Sequence, residues 1–263
     1  MQQFRLAAAT RTWPGGLEAS LRAAVAAGAT GVLIDVRDEL PPPSLSETGR
    51  RDFLHVLREL GLSVACTAFP LRHPLASEFQ LDRRLAAIRA AMEFAYHLGA
   101  NLLCLRAGRL PEDRDSRDGR LLHEVLSDLA RHGNHVGVSL ALTPTADAAE
   151  RLRDWAMSVT TGPIGVDFDP AHFAQSGQSS TEALRMLYGT VLHVQLRDGV
   201  RDLSGGGQET ALGEGAVDWN ELLALLGEME YTGWLTAVRH TGDNRPRDVS
   251  RAIAQVKRLL SMT

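Results

Sequence analysis

Eight short apolar runs recur along the chain, most of them closing on polar residues: FRLAAAT (4–10), GVLIDV (31–36), LSVACTAF (62–69), NLLCLRA (101–107), VGVSLALT (136–143), IGVDFD (164–169), VLHVQLR (191–197) and GWLTAVRH (233–240). Each has strand length and is bounded by turn or helix signals. The stretches between them carry apolar residues at helical spacing. The clearest is LDRRLAAIRAAMEFAYHLG (81–99), where Leu81, Leu85, Ile88, Met92 and Ala95 form one stripe and Gly99 supplies a C-terminal stop. The charged segment RDSRDGR (114–120) reads as a solvated loop into the next helix. SGGGQET (204–210), after the seventh run, reads as a flexible loop over a strand end, with a phosphate-binding nest as the alternative.

Eight strand–helix repeats in 263 residues predict an α/β protein, a (β/α)8 TIM barrel formed as a single domain over 1–263. The rival, a doubly wound sheet, lacks its signatures: no GxGxxG follows the first strand and there is no P-loop. In a barrel the working residues stand at the C-terminal strand ends, and alternate residues share a face. Strand seven then places His193, Gln195 and Arg197 on one face, and strand six Asp167 and Asp169. The same rule groups Ser139, Ala141 and Thr143, then Thr236, Val238 and His240, and pairs Cys104 with Arg106. The mouth should present Arg106, Thr143, Asp169, Gln195, Arg197 and His240, with His172 arriving from the turn after strand six. Such a pocket suits a hydroxyl-rich or anionic small molecule, because arginines offer forked donors. Structural roles compete with this reading. Asp169 in DPAH also fits a helix cap, His193 a buried hydrogen-bonded histidine, Asp198 a loop-positioning residue, and Glu214 in GEG a turn residue as well as a ligand contact. Arg106 needs a partner, and Asp169 or a ligand would serve.

Charge and composition narrow the function. Net charge is −4 with a pI near 6.1, which argues against nucleic acid as a partner. Cys66 and Cys104, the two cysteines, lie in apolar runs without a CxxC spacing, as expected of reduced core residues in a cytoplasmic protein. No apolar run approaches the roughly 20 residues of a membrane span, and no signal-peptide pattern opens the sequence. Lys257, the only lysine, sits in the last helical pattern, away from any strand end, so Schiff-base chemistry is not expected.

Three phrases carry a family resemblance: IGVDFDPAHF (164–173), VLHVQLRDG (191–199) and ALGEGAVDWNELLALLGEMEYTGWLTAVRH (211–240). With GLEASLRAAVAAGATGVLIDVRDEL (16–40) and the helix from Leu81, nearly the whole chain resembles the sugar phosphate isomerase/epimerase family of xylose isomerase-like TIM barrels. That resemblance implies a divalent metal, Mn or Mg, held by a Glu, an Asp, a His and a Glu on strands five to eight, with the two glutamates moving the proton. On this chain the four positions fall on Thr143, Asp169, Gln195 and Val238, a further strand-two Glu falls on Leu33, and a substrate-contacting His on His172. The resemblance thus implies a sugar, sugar-phosphate or polyol isomerase or epimerase homologue without a bound metal. Asp169 and His172 are its candidate catalytic residues. Arg106, Thr143, Gln195, Arg197, His240 and Glu214 are its candidate contacts to a small hydroxylated ligand. Two alternatives stand beside it: a catalytically silent sugar-binding barrel, and a metal-independent isomerase or lyase using histidine. A register two residues different would instead gather Asp169, His193 and His240 as metal ligands.

Overall fold

Strand β1 (Arg5–Ala9) pairs in parallel with β10 (Trp234–Ala237), Arg5 opposite Trp234, and this seam closes a barrel. The computed structural model describes residues 4–145, 147–202 and 206–262. Around the barrel follow β2 (Gly31–Asp35), β3 (Ser63–Ala68), β4 (Leu102–Leu105), β5 (Ser139–Leu142), β6 (Ile164–Phe168) and β7 (Val191–Leu196). All eight lie within the expected runs. The seam depends on a glycine: a Cβ on Gly31 would stand 2.6 Å from the Trp234 ring, so only a bare backbone lets the indole lie across the entry to β2.

Nine α-helices connect and cover the strands among the described residues: α1 (Leu17–Ala26), α2 (Glu47–Glu59), α3 (Leu81–His97), α4 (Arg117–Val136), α5 (Ala149–Ser158), α6 (Pro170–Gln175), α7 (Ser180–Met186), α8 (Trp219–Glu228) and α9 (Arg245–Met262). Their starts follow the sequence: Ser46, Ser116, Ser179 and Asp218 each accept a backbone N–H in the first turn. Ser116 thereby turns the second half of RDSRDGR into helix, where a loop was expected. In α3, Ile88, Met92 and Ala95 are fully buried as the stripe predicts, and Gly99 ends the helix at φ 77°.

Alternation divides the apolar residues in two. Leu6, Val32, Ile34, Leu103, Leu140, Val166, Val194 and Leu235 face the helices and join the main core. Cys66, Leu102, Cys104 and Ala141 point inward and form a separate plug with Leu33 and Leu192. Both cysteines are buried and free. Lys257 is remote from the mouth, its Nζ donating to the Gly28 carbonyl at 2.7 Å. No helix among the described residues is long and apolar enough to cross a membrane.

One element departs from the expected eight strands. Beyond β7 the chain forms an antiparallel ribbon, β8 (Asp198–Arg201) with β9 (Gly207–Thr210). Most of SGGGQET is therefore strand where a flexible loop was expected, while Ser204 and Gly205 of the nest reading lie outside the described residues. Asp198, buried at the base of the ribbon, takes the loop-positioning role. It accepts from Gly199 N at 2.8 Å, Gly213 N at 2.9 Å, Val217 N at 3.2 Å and Trp219 Nε1 at 3.2 Å. Gly215 lies so close to this carboxylate that a Cβ there would collide with it.

Asp198→Ala would leave those donors enclosed and unpaired, at a cost of about 3 kcal/mol. Urea unfolding should register that loss, and amide exchange should rise over residues 213–219 more than in the barrel strands. Uniform exchange across the chain would show that Asp198 does not hold this loop.

Candidate active site at the barrel mouth

The C-terminal strand ends surround a cavity of about 880 Å³. It is lined on one side by Arg106, Thr143, Asp169 and His172 and on the other by Gln195, Arg197, Val238 and His240. Seven of the predicted mouth and contact residues thus meet in one space. Glu214 does not: it is exposed in a turn outside the cavity, 4.0 Å from Arg251, and the turn alternative describes its place.

At the floor lies a buried carboxylate, Asp167, one layer below Asp169. His193 Nδ1 meets Asp167 Oδ1 at 2.7 Å, and its Nε2 meets Thr236 Oγ1 at 2.7 Å. Thr143 Oγ1 and Gln195 Nε2 both donate to Asp167 Oδ2 at 2.6 Å. Burial disfavours both charges of this pair, yet each stabilises the other. Burial pulls His193 down, but Cys104 and the Asp167 carboxylate push it up to about 10. Burial pulls Asp167 up, but His193 and the bonds from Thr143 and Gln195 hold it below the usual carboxylate range. His193 is therefore an imidazolium at neutral pH, with both nitrogens donating. Cys66 Sγ stands 3.4 Å from Nε2 and Cys104 Sγ 4.0 Å from Nδ1. These three residues form the one compact His/Cys/Asp/Glu cluster among the described residues, but both ring nitrogens are already committed.

A second network lies above the first. Arg197 ion-pairs with Asp169 through Nη1, and its Nε donates to Glu209 Oε1 at 2.9 Å. Burial alone would lower the guanidinium pKa, but Asp169 and Glu209 raise it. Glu209, from β9, also accepts from Thr241 N at 2.7 Å, Thr241 Oγ1 at 2.8 Å and His240 N at 3.1 Å. The ribbon is thereby stitched to the segment after β10. Asp169 in addition caps α6 through His172 N at 3.4 Å, so cap and ion pair coexist in one residue. The sequence reading does not reach Glu209, because the glycine run before it signals a loop rather than the strand β9. The alternation in VR…GQET across a glycine run is the hairpin signal that reaches it. Arg11 and Asp35 also line the mouth as an ion pair, at the ends of β1 and β2.

The two mouth histidines are neutral at pH 7. His172 is lowered by burial, with the Arg106 charge adding to it. His240 is lowered by burial, then by Arg197 and Arg106. His172 Nε2 is buried without a hydrogen-bond partner, as is Gln195 Oε1. Arg106 has no ion pair among the described residues, since Asp169 is taken by Arg197.

The model of the xylose isomerase-like TIM barrel family matches residues 21–259. The chain belongs to that family. No curated protein matches it by sequence. Solved structures share the fold at low identity. A xylose isomerase domain protein from Planctomyces limnophilus is 22% identical with a TM-score of 0.82, covering 99% of this chain and 97% of that one. The 3-keto-D-glucoside 4-epimerase of E. coli is 15% identical with a TM-score of 0.78, covering 97% and 100%. A xylose isomerase-like TIM barrel protein from Mycobacterium smegmatis, solved in complex with magnesium, is 17% identical with a TM-score of 0.78, covering 99% and 97%.

A histidine whose pKa rises on folding stabilises fully below its unfolded value near 6.5 and loses that contribution as pH climbs through its folded value. His193, at about 10, should therefore subtract about 1.4 kcal/mol of unfolding free energy per pH unit between those limits. His193→Asn should cost about 3–5 kcal/mol at pH 7, because it strands a buried carboxylate, and should flatten the alkaline decline. Urea unfolding from pH 7 to 10 compares the two slopes, and equal slopes would exclude a charged His193.

Proposed function

We propose that this isomerase/epimerase homologue binds a small, sugar-sized hydroxylated ligand at the barrel mouth without a tightly held divalent metal. The observation that carries this reading is the commitment of the side chains at the family's metal positions. Thr143 and Gln195 donate to Asp167, Asp169 is held by Arg197, and Val238 is a hydrocarbon. A hard divalent cation requires several oxygen or nitrogen ligands. One carboxylate already neutralised by a guanidinium, with two groups bonded elsewhere, does not fit it. The alternative register fares no better, because His193 has no free ring nitrogen.

What replaces the metal set is a preorganised hydrogen-bonding surface. The volume, about 880 Å³, lies within the usual range for small-molecule sites. Guanidinium, hydroxyl, amide and imidazole groups converge on it from different strands, and such groups match a hydroxylated ligand. A second reading, proton transfer by His172 in place of the family glutamates, is favoured by one observation: its Nε2 is enclosed, unpaired and neutral at pH 7. A neutral imidazole there is a competent base.

Elemental analysis of protein purified without chelator should give no stoichiometric Mn or Mg, and added Mn²⁺ should not shift its thermal melt. One metal per chain would overturn the metal-free reading. For the second reading, ketoses and aldoses incubated with the protein in D2O should acquire deuterium at carbon, and His172→Gln should slow that exchange by about 100-fold. Exchange unaffected by His172→Gln would remove that histidine from the chemistry.

A further inference from the structure

Asp167 determines which way Gln195 points. Its ionised Oδ2 accepts the amide Nε2 at 2.6 Å, so the carbonyl Oε1 turns elsewhere. That Oε1 is buried and has no hydrogen-bond partner, although Gln195 lines the cavity. Buried acceptors are rarely left without a donor, and this one is held at the floor of the site. Two residues along the same strand face, Arg197 offers the complement. Its Nε and Nη1 are committed to Glu209 and Asp169. Nη2 is the guanidinium nitrogen with no partner among the described residues, on a side chain that also lines the cavity. The end of β7 and the residue after it thus carry a fixed acceptor followed by a fixed donor.

That order matches a hydroxyl beside an oxygen that has no proton to give. The charge of the cavity selects among such groups. Arg11, Arg197 and Arg239 are paired with carboxylates. Arg106 and Arg245 also line the cavity and have no carboxylate partner among the described residues. Two uncompensated guanidinium groups in a chain of net charge −4 point to an anion.

We propose, on the reading of a sugar-sized hydroxylated ligand above, that the site takes a sugar acid. Its hydroxyl next to the carboxylate donates to Gln195 Oε1, its carboxylate accepts from Arg197 Nη2, and Arg106 supplies the further countercharge.

Titration calorimetry with D-gluconate, 2-deoxy-D-gluconate and D-glucitol tests this directly. The unmodified protein should bind gluconate about tenfold or more tighter than either of the others, the weight of one hydrogen bond to a buried group. Gln195→Leu should weaken gluconate about tenfold and leave 2-deoxygluconate unchanged, because the hydroxyl and its acceptor form one interaction. Arg197→Lys keeps the charge but withdraws Nη2, and should narrow the preference for gluconate over glucitol. Equal affinities for the three, or a Gln195→Leu loss shared equally by both acids, would overturn the proposal and leave Gln195 acting only through Asp167. Binding of glucitol alone would keep the hydroxylated-ligand reading and sink the acid. A protein that binds none of the three would overturn both. The three-ligand comparison on the unmodified protein holds whether or not the variants fold.

Discussion

A carboxylate inside a closed barrel has no water to turn to, and everything at the floor of this cavity follows from that constraint. Asp167 keeps its charge only because His193, Thr143 and Gln195 all donate to it. In return it fixes the imidazole, the hydroxyl and the amide in single orientations. The amide oxygen of Gln195 is left facing away from the protein's own donors as a direct result. The barrel below is small and apolar, so the polar network rests on the plug formed by Cys66, Leu102, Cys104 and Ala141.

The upper network obeys the same rule with a different geometry. Arg197 lies between Asp169 and Glu209, and Glu209 is present only because β8 and β9 fold back over the barrel rim. Asp198 anchors the base of that ribbon through backbone donors. Adjacent residues of one strand end therefore divide the work: Arg197 turns into the mouth and Asp198 turns outward to hold the loop. Fold and site are coupled through this pair rather than through the core.

The barrel was legible because its signal is local and repeated. All eight strands lie inside the apolar runs, and alternation assigned Gln195, Arg197, Asp169 and Thr143 to the mouth. Legibility ended where the structure depends on contacts between distant segments. The glycine run hid β9, and with it Glu209, whose partners lie 12 and 32 residues away in Arg197 and Thr241. Sequence alone left Asp169 as a partner for Arg106. The structure gives it to Arg197, which follows the neighbouring strand β7. Glu214 follows the same lesson, because a polar residue in a glycine turn looks alike whether it faces a cavity or solvent. No local spacing encodes the pairing of Arg11 with Asp35 across the β1 and β2 turns.

The cation that faces Asp169 is part of the polypeptide. A tethered charge has no dissociation constant, so its occupancy does not depend on cellular supply and a chelator cannot strip it. It also lacks the freedom of an exchangeable ion. A guanidinium cannot trade a protein ligand for a substrate oxygen during a reaction, and it does not lose its proton at any physiological pH. Whatever this mouth recognises meets a positive charge that is always present and always in the same place.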